Sequence, residues 1–155
     1  MLPPLTLGVE EEYQIINAET RDLDDSISLF LDENSDKHAV GIKPELMQSQ
    51  VEVGSNVCHN IQEIREEIIR LRRAVISIAD EKGVQIAAAS THPFARWQNQ
   101  TINDGTRYKE MFDDLAGVAS RLVIFGMHVH VGFGHEKNPE NADLMIEIML
   151  SLIHI

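Results

Sequence analysis

The sequence predicts a layered fold of strands and helices, α+β or α/β, on three observations. Residues 5–16 mix apolar and charged side chains at period two, the mark of a strand. Residues 60–83 repeat apolar side chains at spacings of three and four, the mark of a helix with one covered face. Across the whole chain, periodic segments and turn signals follow the order strand, strand, strand, helix, strand, helix, strand, helix, with no repeat or linker. The composition agrees. A chain of 155 residues, 43% hydrophobic and 25% charged, is globular rather than disordered, collagen-like or membrane-spanning, and its length predicts one domain. Such a chain buries about 68–70% of its unfolded surface, so a core needs no disulfide. The one cysteine, Cys58, can form none within the chain.

The first strand is bounded by Pro3-Pro4 and by the turn-prone Asn17-Ala18-Glu19-Thr20. Residues 19–36 follow as a solvated loop carrying Asp22, Asp24, Asp25, Asp32, Glu33 and Asp36 around a short apolar segment, 27–31. Residues 38–43 read as a short strand ending at Pro44. In 47–53, Met47, Ser49, Val51 and Val53 face one way and Gln48, Gln50 and Glu52 the other. Asn60 caps the long helix, Glu63 completes a capping-box pattern, and Ile61, Ile64, Ile68, Leu71, Val75 and Ile78 form its apolar face until Gly83 ends it. Residues 84–89 suit a short buried strand leading into Ser90-Thr91-His92-Pro93-Phe94. A second helix is expected from Asp104 to Thr106 onward toward Ser120, then a strand over 122–133. Asn138-Pro139 reads as a cap with proline in the first turn of a last helix, with Leu144, Ile148 and Met145 turned inward.

Twenty-five acidic against 13 basic side chains, a formal charge of −12, exclude a general binder of nucleic-acid backbones, which needs Lys and Arg to replace counterions. A cation-binding site fits that balance better. No run of about 18 apolar residues occurs, and Met1-Leu2-Pro3-Pro4 lacks the basic flank and apolar stretch of a signal peptide, so a cytoplasmic location without a membrane partner is expected.

Glu10 and Glu12, two apart on the first strand, send both carboxylates to one face while Val9, Glu11 and Tyr13 take the other. Two anions on one face repel unless a cation lies between them, and magnesium or manganese takes carboxylate oxygens. A solvated strand face is the plainer alternative. His128 and His130 repeat the geometry within Gly126-Met127-His128-Val129-His130-Val131-Gly132, where flanking glycines mark close approach of backbone or ligand; core or surface histidines are the alternative. Glu45 follows Pro44, where an exposed turn acid is the simple reading, whereas Glu52, between Val51 and Val53, must face water or find a partner. Cys58 reads as a small core or surface residue.

Taken in order, Gly8-Val9-Glu10-Glu11-Glu12-Tyr13, Pro44-Glu45-Leu46-Met47-Gln48-Ser49-Gln50-Val51-Glu52-Val53, Ser90-Thr91-His92-Pro93-Phe94, Arg107-Tyr108 and the glycine-flanked histidine strand resemble the carboxylate–amine ligase family, also called glutamate–cysteine ligase type 2. The resemblance covers residues 5 to about 149. It implies an α+β, mostly antiparallel, curved sheet with flanking helices, as in glutamine synthetase, whose concave face holds ATP, magnesium (or manganese) and the acceptor acid. By the same resemblance Glu10, Glu12, Glu45, Glu52 and His128 are metal ligands, His130 lies near the nucleotide, and Arg107 and Tyr108 shape the substrate site. The family joins glutamate to an amine such as cysteine through an acyl phosphate made from ATP, so the implied partners are these small molecules and a homodimer or larger assembly.

The family chain is more than twice this length, so the 155 residues read as the amino-terminal part of one catalytic domain, residues 1–149, cut inside it. Residues 150–155, Leu-Ser-Leu-Ile-His-Ile, match the translation of a transposon end used in preparing sequencing libraries and are expected to be a non-native tail. The isolated chain is expected to be inactive, with a sheet edge and the last helix partly uncovered. Two other functions fit the same residues: a dinuclear metal-dependent hydrolase, in which the acids and histidines activate water without ATP, and a non-enzymatic acidic binding module that binds no cation saturably.

Overall fold

The computed structural model describes residues 5–31, 41–104, 108, 121, 123–133 and 139–153. Its hub is β1 (Thr6–Ile16), whose two edges carry nearly everything else. On one edge β1 pairs β3 (Gln50–Gly54), and β2 (Ile42–Pro44) pairs the far side of β3. On its other edge β1 pairs β5 (Met127–Gly132) along Thr6 to Glu11 and β4 (Gln85–Ala87) along Gln14 to Ile16. Every pairing is antiparallel, which decides for α+β over α/β.

Period two then sorts the side chains. Val9, Tyr13 and Ile15 of β1 are buried on one face with Ile42, Val51 and Val53. The helix α1 (Ile61–Lys82) packs Leu71, Val75 and Ala79 into one core with Tyr13, Ile15, Ile42, Val51 and Val53, joined by a 3-10 turn (Ile27–Phe30) that buries Ile27 and Phe30. So the acidic loop does wrap an apolar segment, and residues 32–40 lie outside the described ones. The Asn60 side chain caps α1 by accepting the Glu63 N–H at 3.0 Å, while the Glu63 carboxylate reaches back to the His59 N–H at 2.7 Å, one residue before the cap. Gly83 ends α1 with φ 75°, where a side chain would be strained.

Three strand boundaries and one helix face differ from expectation. β3 begins at Gln50, because Met47 to Ser49 form a turn whose groups bond elsewhere: Gln48 N–H to the Thr101 carbonyl, Ser49 Oγ to Gln100 Oε1, Gln50 N–H back to the Met47 carbonyl. β5 begins at Met127 rather than residue 122, since Phe125 turns inward with its N–H on the Ser90 carbonyl. β4 is three residues long and half-exposed, not a buried strand, because only the last three residues of β1 pair with it. In the last helix, α2 (Pro139–Ile153), Leu144 and Ile148 are half-buried but Met145 is 42% exposed: the helix is apolar on most sides, so periodicity could not choose its covered face. The α2 helix runs past Met149 without interruption. The expected second helix falls outside the described residues apart from Tyr108, which is helical, as does the expected cap Asn138. Met127, Val129 and Val131 of β5 stand exposed on the face that α1 covers elsewhere. Among the described residues no helix is long and apolar enough to cross a membrane.

Candidate functional site

The face of the sheet opposite α1 gathers the polar residues, and strand register does the gathering. Lys43 of β2 stands opposite Glu52 of β3, Glu52 opposite Glu12 of β1, and Glu10 opposite His128 of β5, with His130 opposite Gly8. Residues 43, 52, 10, 12, 128 and 130 thus share one surface although up to 120 positions separate them in sequence.

They form two groups rather than one. Glu12, Glu45 and Glu52 each offer a carboxylate oxygen within 4.8 Å of the others. Glu10 lies outside that triad and turns to the histidines: its Oε2 is 2.9 Å from His130 Nε2 and 4.0 Å from His128 Nδ1. Burial pushes the Glu52 carboxyl above the usual carboxylate range, Glu10, Glu45 and Glu12 push it further, and Lys43 opposes them. The triad is therefore a place where negative charge is concentrated and cation binding would relieve it.

Two members of the triad, Glu12 and Glu45, are held by neighbouring donors. Glu12 Oε2 accepts the Gly126 N–H at 2.6 Å and the Gln50 side-chain amide at 2.8 Å, so its rotamer is set by two donors. Gln50, 3% exposed, also donates to the Ile124 carbonyl at 3.2 Å. Asn103 clamps the turn that carries Glu45, its Nδ2 donating to the Glu45 carbonyl at 2.6 Å and the Met47 carbonyl at 3.1 Å. The Tyr108 hydroxyl donates to Glu45 Oε2 at 3.0 Å, which places it as a support for a carboxylate. Gln50 was legible as a neighbour of Glu52 on the polar face; Asn103 and Lys43 carried no local signal. Arg107 lies outside the described residues.

Other motifs stand apart from the triad. In Ser90 to Phe94, His92 ties its loop down: Nδ1 accepts the Ala95 N–H at 3.0 Å and Nε2 donates to the Arg21 carbonyl at 3.0 Å. Cys58 is 2% exposed, and burial together with Glu67 and Glu63 pushes its thiol up, away from nucleophilic use. Beside Glu10 a cavity of about 450 Å³ opens, with Gly8, Gly41, Lys43, Gly54 and His130 in its wall.

The donor set fits a hard divalent ion. Carboxylate oxygens are the ligands magnesium and manganese prefer, at about 2.1 Å, so two ligands of one ion sit up to about 4.2 Å apart. A triad spread within 4.8 Å needs only small side-chain rotations to close on one.

Known proteins resemble this chain along nearly its whole length. The family model of glutamate–cysteine ligase family 2 (GCS2) matches residues 6–149. A protein of Herpetosiphon aurantiacus is 50% identical over 146 residues, 94% of this chain and 36% of that protein. One of Roseiflexus sp. is 46% identical over 134 residues, 86% of this chain and 35% of that protein. Both carry the name "Putative glutamate--cysteine ligase 2", and the chain spans about a third of their length. The crystal structure of a glutamate–cysteine ligase from Francisella tularensis in complex with AMP superposes with a TM-score of 0.58 at 18% identity, covering 96% of this chain and 30% of that one, a likeness of fold. A family match over nearly the whole chain, joined to relatives of this identity, is sufficient: the chain belongs to glutamate–cysteine ligase family 2.

Proposed function

We propose that this chain carries the metal-binding strands of an ATP-dependent carboxylate–amine ligase that forms a γ-glutamyl amide bond, joining glutamate to an amine such as cysteine through an acyl phosphate. The observation that carries the reading is the triad: acids from β1, from β3 and from the turn between β2 and β3 converge within 4.8 Å on one open face. AMP in the Francisella ligase supports a nucleotide as co-substrate.

Glu12, Glu45 and Glu52 would hold one magnesium or manganese ion, and Glu10 with His128 a second position on the same face. Bound there, the ion supplies positive charge to the phosphate oxygens while a poor electrophile, a carboxylate, is converted to an acyl phosphate. The chain's own residues position the ligands. Gly126 and Gln50 orient Glu12, Asn103 and Tyr108 orient Glu45, and His130 with Lys43 lines the cavity in which an anionic group of the nucleotide or substrate would lie. Arg107 is assigned to the substrate side by family resemblance alone. A homodimer, a cytoplasmic location, a non-native tail at 150–155 and inactivity of the isolated chain belong to the same proposal.

Titration with manganese followed by electron paramagnetic resonance, with and without ATP, tests it. Saturable binding that Glu52→Gln abolishes is the expected result. Absence of saturable binding would favour an acidic binding module, and ATP-independent hydrolysis by the full-length parent would favour the hydrolase.

A further inference from the structure

Lys43 brings a positive charge to the seam between the two groups of the site. Register sets it opposite Glu52, and its Nζ lies 3.6 Å from Glu52 Oε1 and 3.9 Å from Glu10 Oε1. Those carboxylates belong one to each group: Glu52 to the triad with Glu12 and Glu45, Glu10 to the pair of histidines. A single ammonium therefore bridges both. The Lys43 side chain is 58% exposed, and lysine carries its charge on a flexible four-carbon stem that can swing away. Exposed ion pairs at such distances are weak and easily exchanged. A divalent ion bound at Glu52 and the Lys43 ammonium would repel each other at a few ångströms, a repulsion only partly screened beside a half-buried carboxylate. The cavity that Lys43 also lines gives the displaced side chain room to move.

We propose that Lys43 is a displaceable counter-ion, a positioning residue that holds Glu10 and Glu52 apart from each other's charge until a divalent ion replaces it. Its charge then sets the ion concentration at which the site fills. The inference rests on the reading of the triad as a cation site, and the experiment separates the two.

Manganese titration of the 155-residue chain, read by the resonance signal of the free ion, compares wild type with Lys43→Met, Lys43→Gln and Lys43→Arg, each checked for native circular dichroism. Both neutral variants are expected to bind about tenfold more tightly than wild type, with binding more sensitive to salt because the site is then more negative, while Lys43→Arg stays within about twofold. Wild-type binding left unchanged or weakened in both neutral variants would overturn the role of Lys43 and leave the triad standing. Binding absent from wild type and all variants would overturn the triad and this inference together.

Discussion

The Arg72 guanidinium of α1 grips the Glu11 carboxylate of β1, with Nε 2.9 Å from Oε2, and the Tyr13 hydroxyl donates to the same oxygen. Burial alone would push Glu11 up, but the bonds from Arg72 and Tyr13 outweigh it and its carboxyl lies below the usual range. Burial and the same carboxylate push the Tyr13 hydroxyl up, so the tyrosine remains a donor. Among three consecutive acids, the middle one thus ties the sheet to its covering helix while Glu10 and Glu12 face the candidate site.

Removing Arg72 leaves a buried carboxylate short of its cation. Arg72→Met is expected to lose about 2–3 kcal/mol of stability in urea unfolding at pH 7, the lower end for a buried pair because the arginine side chain is 47% exposed. Glu11→Gln added to it should recover part of that loss. The pH dependence should also reverse. In wild type the depressed Glu11 contributes stability above the unfolded value, lost as pH falls through the folded one; without Arg72, acidification should stabilise. A loss under about 0.5 kcal/mol would contradict the arrangement.

Glu67 of α1 accepts Arg70 Nε at 2.9 Å and both Asn56 donors, the N–H at 2.9 Å and Nδ2 at 3.0 Å. Arg70 chiefly, then Asn56, hold its carboxyl down to about 2 against the opposing effect of burial. A depressed acid stabilises above its unfolded value of 4.5 and loses that contribution as pH falls toward about 2. Glu67→Gln should therefore weaken the chain by about 1 kcal/mol at pH 7 and leave it no weaker than wild type near pH 2. Parallel melting curves of the two proteins across that range would refute the assignment.

Glu52 has the opposite sign. Its raised carboxyl makes ionisation a burden on the fold, so stability falls as pH rises from the unfolded value through the folded one. Glu52→Gln should raise stability at pH 7 by about 0.5–2 kcal/mol while removing manganese binding, the trade expected where charge is retained for function. Calorimetry checks the first half and metal titration the second; a less stable Glu52→Gln chain would show that Lys43 pairing outweighs the repulsion.

Asn103 acts on Glu45 through the turn it clamps. Asn103→Ala should weaken manganese binding about tenfold with the overall fold intact, as for lost support behind a metal ligand. Tyr108→Phe, which removes the bond to Glu45 Oε2, should act in the same direction and more weakly. If Glu45→Gln impairs binding and neither of these does, Glu45 needs no such support.

Local pattern along the chain is enough to sort the side chains within each element. Period two placed Glu10 and Glu12 on one face and Val9, Glu11 and Tyr13 on the other, and the Asn60 cap with Gly83 bounded α1, because these depend on neighbours two to four residues away. It also carried the family motifs, and with them the antiparallel sheet. How the acids divide follows instead from contacts between distant strands. Glu45 joins Glu12 and Glu52 because Asn103 holds its turn; Glu10 is claimed by His128 and His130 because β5 pairs β1 in one register; and Lys43 reaches both groups because β2 lies beside β3. A slip of one residue in any of these pairings would turn every side chain of a strand to the other face, and no local pattern in the chain encodes which distant strand supplies the partner.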